Sequence, residues 1–258
     1  SFFWDGRVST LEQQVLTPLQ NSLELDRDVD ELVADLKRHE IYPARFQAAF
    51  PGQAISAGTI SKALAQFVRS IVSFSSAWDA DWSTPEQDPE FRSEAAKRGR
   101  EAMMSLPGPN GGRVSMPCGG CHRSETGVKP GIAGHLLGLV TNDELRNNGL
   151  TPLGEDTGLG LITGKPEDAG KFRVPSGRNI ALTAPYMHDG RFETLEEVFR
   201  HYGEHLSAHS GTDPALMVDG EPLRFVIDEA TVKDITAFME MFTDEHLVTN
   251  PAWSDPFL

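Results

Sequence analysis

Apolar positions recur at helical spacing in several stretches of the chain. Val29, Leu32, Val33 and Leu36 follow Asp28 and predict a helix over about 28–39. Ile60, Leu64, Phe67, Val68 and Ile71 predict a clearer one over about 58–73. A further helix, at about 91–106, ends before Pro107-Gly108-Pro109-Asn110-Gly111-Gly112, where the chain must turn. Thr194-Leu195-Glu196-Glu197 reads as a capping box that opens a helix running to about Tyr202. Val232, Ile235, Phe238, Met239 and Phe242, behind Asp228, mark a closing helix.

Between these stretches the pattern weakens. Residues 1–25 read as a loop entering a helix, capped by Ser9 or Thr10, with Glu12 in its first turn and Pro18 ending or kinking it. Residues 75–91 carry Trp78 and Trp82 among Ser, Asp and Pro and read as a surface connection. From 123 to 193, and again over 206–227, Gly and Pro are frequent and neither period is sustained. The expectation is a mostly α chain with long irregular connections and no internal repeat beyond the similarity of two helical lobes.

Composition narrows the class. A length of 258 residues, 39% of them hydrophobic and 24% charged, is ordinary for a globular chain with a real core. No apolar run approaches the ~20 residues a membrane helix needs, so membrane insertion is not expected. The formal net charge of −15 disfavours nucleic acid and suits a partner with a basic or neutral docking face.

Both cysteines of the chain fall in Cys118-Gly119-Gly120-Cys121-His122. Two thiols at this spacing can each add across a vinyl group of one haem, and the histidine that follows can ligate its iron. A structural zinc site would need two more soft ligands, and no third cysteine exists. A redox disulfide would need a βαβ context and no histidine. The motif therefore predicts covalent haem c, with His122 as proximal ligand. Covalent haem attachment implies export, in bacteria to the periplasm. Five residues are candidates for the far side of the iron: Met187, His188, His201, Tyr202 and Met217.

Three stretches resemble one family. Phe3-Trp4-Asp5-Gly6-Arg7, with Leu11-Glu12-Gln13-Gln14 and Asn21-Ser22-Leu23-Glu24, is similar to the first-lobe core of bacterial di-haem cytochrome c peroxidases and their MauG-type relatives. Phe67-Val68-Arg69-Ser70-Ile71-Val72-Ser73-Phe74 resembles the helix before the inter-lobe connection. Phe172-Arg173-Val174-Pro175, the run from Arg178-Asn179 through His188-Asp189-Gly190, and Thr194–Glu197 resemble the signature after the second haem.

The resemblance implies two cytochrome c-like lobes, 1–80 and 81–258, the first incomplete in this sequence. The family carries two CxxCH motifs and this sequence only the second, so a second haem is expected to be anchored upstream of Ser1. Where the peroxidases place a distal Met, eight residues into the helix opened by Thr194, this sequence has Tyr202, as in MauG-type proteins. Tyrosinate is a hard oxygen donor that favours ferric and higher states.

The remaining roles follow from the same resemblance. Glu24 and Gln14 match a carboxylate and an amide lining the peroxide pocket of the first haem, and Pro18 would narrow it. Trp4 matches the tryptophan between the haems, where an indole relays an electron or hole. Thr183 and Pro185 match residues whose backbone carbonyls help bind calcium. His188 and Asp189 are expected to make local hydrogen bonds or contact propionates, and His39, His205, His209 and His246 to lie at the surface.

The implied function is a periplasmic enzyme that uses hydrogen peroxide to oxidise a partner protein's side chain at long range. Two alternatives remain: a cytochrome c peroxidase fed by a small cytochrome or cupredoxin, and a mono-haem electron carrier. The branch that matures a tryptophan-derived quinone has Trp six residues before the haem histidine. Met116 stands there in this chain, so that substrate is not assigned. Trp78, Trp82 and Trp253 are open as exit paths.

Overall fold

The computed structural model describes residues 1–80, 91–116, 118–122, 144–150, 156–209 and 211–254. Trp82, and the 123–143 and 151–155 parts of the Gly- and Pro-rich stretch, lie outside the described residues. The chain divides into two compact units, Ser1–Val72 and Ser73–Leu258.

In the first unit, Thr10 caps α1 (Leu11–Gln14) through a box closed by the Gln13 side chain. Pro18 does not end this helix. It stands in the first turn of α2 (Thr17–Gln20), where its missing N–H has no partner to lose. Asp28 caps α3 (Val29–Arg38) by accepting from the Glu31 amide at 2.9 Å. α4 (Tyr42–Ala49) opens on Pro43 and interrupts a stretch whose periodicity is weak. α5 (Ala57–Ser70) begins at a Ser56 cap and ends before Ile71.

Leu11, Val29, Ile55, Ile60 and Ala65 form the small buried set of this unit. Arg69 donates to both carboxylate oxygens of Glu12, at 2.8 and 3.1 Å, and so pins α1 to α5. Leu64, Phe67 and Val68 on α5, and Ile71 just after it, remain exposed.

The second unit is built on one helix crossing. α7 (Glu94–Met104) and α11 (Glu229–Glu240) approach so closely that a Cβ on Gly99 would lie 1.9 Å from the Asp234 carbonyl oxygen. Arg98 grips the Asp234 carboxylate at the same crossing, with contacts of 2.8 and 2.7 Å. Met103, Leu106, Phe199, Phe225, Ile235, Phe238, Met239, Met241 and Phe242 make the core around it.

The 75–91 stretch is not a surface connection throughout. Trp78, on α6 (Ala77–Ala80), is 3% exposed and packs against Phe238 and Phe242 with ring centroids 5.5 and 5.4 Å away. Its backbone N–H donates to the Met241 carbonyl, and the Ser73 hydroxyl and Ser75 N–H both donate to Asp244. These contacts place 73–79 in the second unit, so the division falls after Val72 and not at 80.

Among the described residues, three two-stranded ladders trim the irregular parts. β1 (Leu106–Pro107) pairs antiparallel with β2 (Arg113–Val114), Leu106 opposite Val114. The hairpin returns the chain to α7, where the Met116 N–H donates to the Met103 carbonyl, and so delivers it to α8 (Cys118–Cys121). β3 (Leu145–Arg146) pairs with β4 (Phe172–Arg173), Leu145 opposite Arg173. That ladder sets residues 147–148 and 174–175 at the site.

α9 (Leu159–Thr163) and a 3₁₀ turn, Pro166–Asp168, lie between β3 and β4. α10 (Leu195–Arg200) carries the Thr194–Glu197 capping box and passes into a π turn, His201–His205. β5 (Met217–Val218) and β6 (Glu221–Pro222) form a hairpin in 206–227. α12 (Glu245–Thr249) follows α11. No helix among the described residues is long and apolar enough to cross a membrane.

Candidate haem site

The haem-attachment motif forms a single helical turn, closed by the His122 N–H donating to the Cys118 carbonyl at 2.8 Å. Both cysteines are free thiols and both are partly buried. Burial pushes the Cys118 thiol up to about 12, so it is protonated at neutral pH.

His122 is held by its other face. Its Nδ1 lies 2.9 Å from the Pro175 carbonyl oxygen, which can only accept, so Nδ1 carries the proton. Nε2 is then left with its lone pair free to ligate a metal, oriented by the backbone contact. Burial holds this imidazole below its ordinary pKa, which favours the neutral ligating form.

Tyr202 occupies the same apolar surroundings. Its phenol is pushed above its ordinary value by burial and by the neighbouring Cys118 thiol, with Cys121 adding to them and a hydrogen bond from the Asn148 side chain opposing. The π turn aims it there: the Gly203 carbonyl accepts from the Phe225 N–H at 3.2 Å. A Cβ on Gly203 would meet the Phe225 ring at 2.8 Å, so only glycine lets the strand-like 223–227 segment pack so close. Phenol oxygen, two thiols and an imidazole lone pair in one apolar environment fit a covalent haem.

The other far-side candidates are placed differently. Met187, at a left-handed φ of 74°, accepts at Sδ from the Asn148 amide at 3.4 Å. His201 is buried, and its Nε2 lies 3.3 Å from the Asn148 carbonyl oxygen. His188 stacks on Phe172 at 3.6 Å between centroids, and its imidazole is lowered by burial. Asp189 pairs with Arg191. Met217 sits in β5 opposite Pro222. Asn148 and the Pro175 carbonyl carry no local sequence signal; both reach the site through the β3–β4 pairing.

In the first unit, Pro18 on α2 and Glu24 in the loop after it are drawn together. The Pro18 carbonyl accepts from the Leu25 N–H at 3.2 Å, and Glu24 Oε1 accepts from Asn21 Nδ2 at 2.7 Å. Glu24 is exposed, and Gln14, on α1, is half-buried. Trp4 is 43% exposed in a loop closed by the Phe2–Val8 bridge.

Thr183 and Pro185 are exposed, after the Ile180–Leu182 3₁₀ turn. Among the described residues no group of three or more His, Cys, Asp or Glu is arranged to hold a metal ion. His209, expected at the surface, is half-buried beside Thr212 and Gly211, whereas His39, His205 and His246 are exposed. Trp253 ends the Pro251–Trp253 3₁₀ turn, half-buried.

The family model described as di-haem cytochrome c peroxidase matches residues 1–87. The methylamine utilization protein MauG of Methylophilus methylotrophus is 32% identical over 202 residues, which is 78% of this chain and 53% of that protein. MauG of Methylorubrum extorquens is 30% identical over 251 residues, 95% of this chain and 61% of that protein. The chain thus spans between 53% and 61% of the length of these two relatives. A solved MauG-like protein associated with microbial copper homeostasis superposes with a TM-score of 0.71 at 30% identity, covering 99% of this chain and 77% of that one.

Proposed function

The chain belongs to the MauG-type branch of the di-haem cytochrome c peroxidase family, and on that premise we propose that it is part of a periplasmic enzyme that uses hydrogen peroxide to oxidise a partner protein's side chain at long range. When bound, the haems would supply two-electron reduction of peroxide and retention of the oxidising equivalents. The observation that carries this reading is Tyr202, packed with Cys118 against the same hydrophobic core. A hard phenol oxygen, where a soft thioether would ease one-electron reduction, suits an enzyme that stores oxidising power.

In this reading the thiols of Cys118 and Cys121 become thioethers to one haem. His122 offers Nε2 to its iron and Tyr202 the far-side oxygen. A second haem is anchored outside this sequence. Glu24 takes the peroxide proton and returns it to the departing oxygen. Its hydrogen bond to Asn21 fixes Oε1 and leaves Oε2 to do this. Gln14 orients the peroxide, Pro18 narrows its pocket, and Trp4 relays the hole. The Thr183 and Pro185 carbonyls contribute to a calcium site. The two units, Ser1–Val72 and Ser73–Leu258, act as two cytochrome c-like lobes, the first incomplete in this sequence. The acidic surface, at −15, favours a partner with a basic or neutral docking face.

The test is Glu24→Gln in the full-length holoenzyme. Peroxide consumption should slow by ~10²–10⁴ with haem content and resting spectra retained. An unchanged rate would remove Glu24 from the reaction and favour an electron carrier. The same peroxide-treated wild-type protein is then offered a reduced small cytochrome and the protein encoded beside it. A mass change in that protein supports the reading. Rapid cytochrome oxidation with no mass change would leave a cytochrome c peroxidase instead.

A further inference from the structure

Asn148 engages two of the five residues whose chemistry could serve the far side of the His122 haem, Met187 and His201. Its side-chain nitrogen donates to the Met187 sulfur at 3.4 Å. Its backbone carbonyl lies 3.3 Å from His201 Nε2, and since a carbonyl only accepts, that nitrogen carries a proton and has no lone pair to offer. Tyr202 follows His201 directly, with ring centroids 5.2 Å apart.

The competition this settles is real. Met187 is tied through Asn148 to His201, the neighbour of Tyr202, and stands at a strained left-handed φ of 74°. A thioether is a soft donor that gains on a phenolate as the iron is reduced. Without a restraint on the sulfur, nothing in the chemistry of the two side chains would keep the oxygen as ligand through a redox cycle.

We propose that Asn148 selects the far-side ligand: its side chain engages the Met187 thioether and its backbone the His201 imidazole, so that the Tyr202 oxygen is what is presented to the haem held by His122. Asn148 is a positioning residue, since its side chain acts through Met187. The inference rests on the reading of Tyr202 as ligand. His201 is held by the Asn148 backbone, so substitutions at this side chain leave it engaged and make Met187 the competitor.

The experiment uses the full-length holoenzyme and four variants: Tyr202→Phe, Asn148→Leu, Asn148→Asp and Asn148→Leu/Met187→Leu. Electron paramagnetic resonance of the ferric state, the optical spectrum of the ferrous state and the reduction midpoint are recorded for each. Asn148→Asp keeps the size of the side chain but has no N–H, so it decides the matter should the leucine variant fail to load haem. In either Asn148 variant, a second low-spin species should appear on reduction and the midpoint should rise. Adding Met187→Leu should abolish that species.

Spectra and midpoint unchanged in the Asn148 variants, with Tyr202→Phe altering both, would overturn the selection role and leave the ligand reading standing. A second species that survives Met187→Leu would overturn it equally. An unchanged spectrum in Tyr202→Phe would bring down the ligand reading itself, and this inference with it.

Discussion

Single residues hold the irregular part of the second unit in place, and Asp79 with Arg178 shows how. Arg178 donates to both oxygens of Asp79, at 2.7 and 2.8 Å, with the two side chains only 12% and 11% exposed. The same guanidinium lies over the Phe74 ring, 4.3 Å from its centroid. Burial alone would push the Asp79 carboxyl up, but Arg178 and the Ser76 hydroxyl and amide outweigh it and hold it below the ordinary aspartate value. Asp79→Ala should therefore destabilise the fold by about 3 kcal/mol, because it strips a buried cation of its carboxylate. A carboxyl lowered on folding stabilises fully above its unfolded pKa of about 4, and the contribution fades as pH falls through the folded value. Denaturant titrations should find the gap between wild type and variant constant from pH 7 down to about 5 and shrinking below about 4. A gap that widens in acid would contradict the assignment. This pair has no local signature: its partners are 99 residues apart. The haem motif was legible because both thiols and the histidine fall in five consecutive positions, whereas Asn148 and the Pro175 carbonyl were not, being ordinary groups recruited by strand pairing.

At the scale of elements, the crossing of α7 and α11 leaves no room for a side chain. Ala in place of Gly99 would put its Cβ 1.9 Å from one backbone oxygen and 2.4 Å from its carbon, which no rotamer can relieve. The helices would have to separate, opening the core around Met103, Ile235 and Phe238. Gly99→Ala should cost about 3 kcal/mol, although Ala is the better helix former by about 1 kcal/mol. A thermal melt showing equal or greater stability would mean the helices are farther apart. The amphipathic helices were legible, since an Asp, Ser or Thr cap and an apolar stripe coincide at Asp28, Ser56, Thr194 and Asp228. Pro18 misled because proline closes one helix and opens another with equal ease. Trp78 misled for a different reason: its neighbours in sequence are polar, and its burial comes from aromatic side chains more than 150 residues later. α4 lacks a sustained stripe, with Tyr42, Phe46 and Phe50 its only large apolar repeats.

At the scale of the molecule, the chemistry is divided unequally between the units. The second unit holds the CxxCH motif and Tyr202, while Trp4, Gln14, Pro18 and Glu24 belong to the first. A proton shuttle in the first unit is useful only beside an iron that binds peroxide. A haem held by Cys118, Cys121 and His122 and ligated by Tyr202, as proposed, would have no position to offer peroxide. With two cysteines in 258 residues, both in that motif, this sequence offers no second thiol pair for the further covalent haem that the proposed function requires. The intact protein should therefore return two haems per polypeptide in a pyridine haemochrome assay. Cys118→Ser/Cys121→Ser should remove the low-spin, tyrosine-ligated species and leave one haem that still binds small ligands such as cyanide. Glu24→Gln should leave the count at two, because a group that moves a proton ligates no iron. One haem per polypeptide in the intact wild type would strand Gln14 and Glu24 without a substrate-binding iron, and the electron-carrier reading would then account for the protein better.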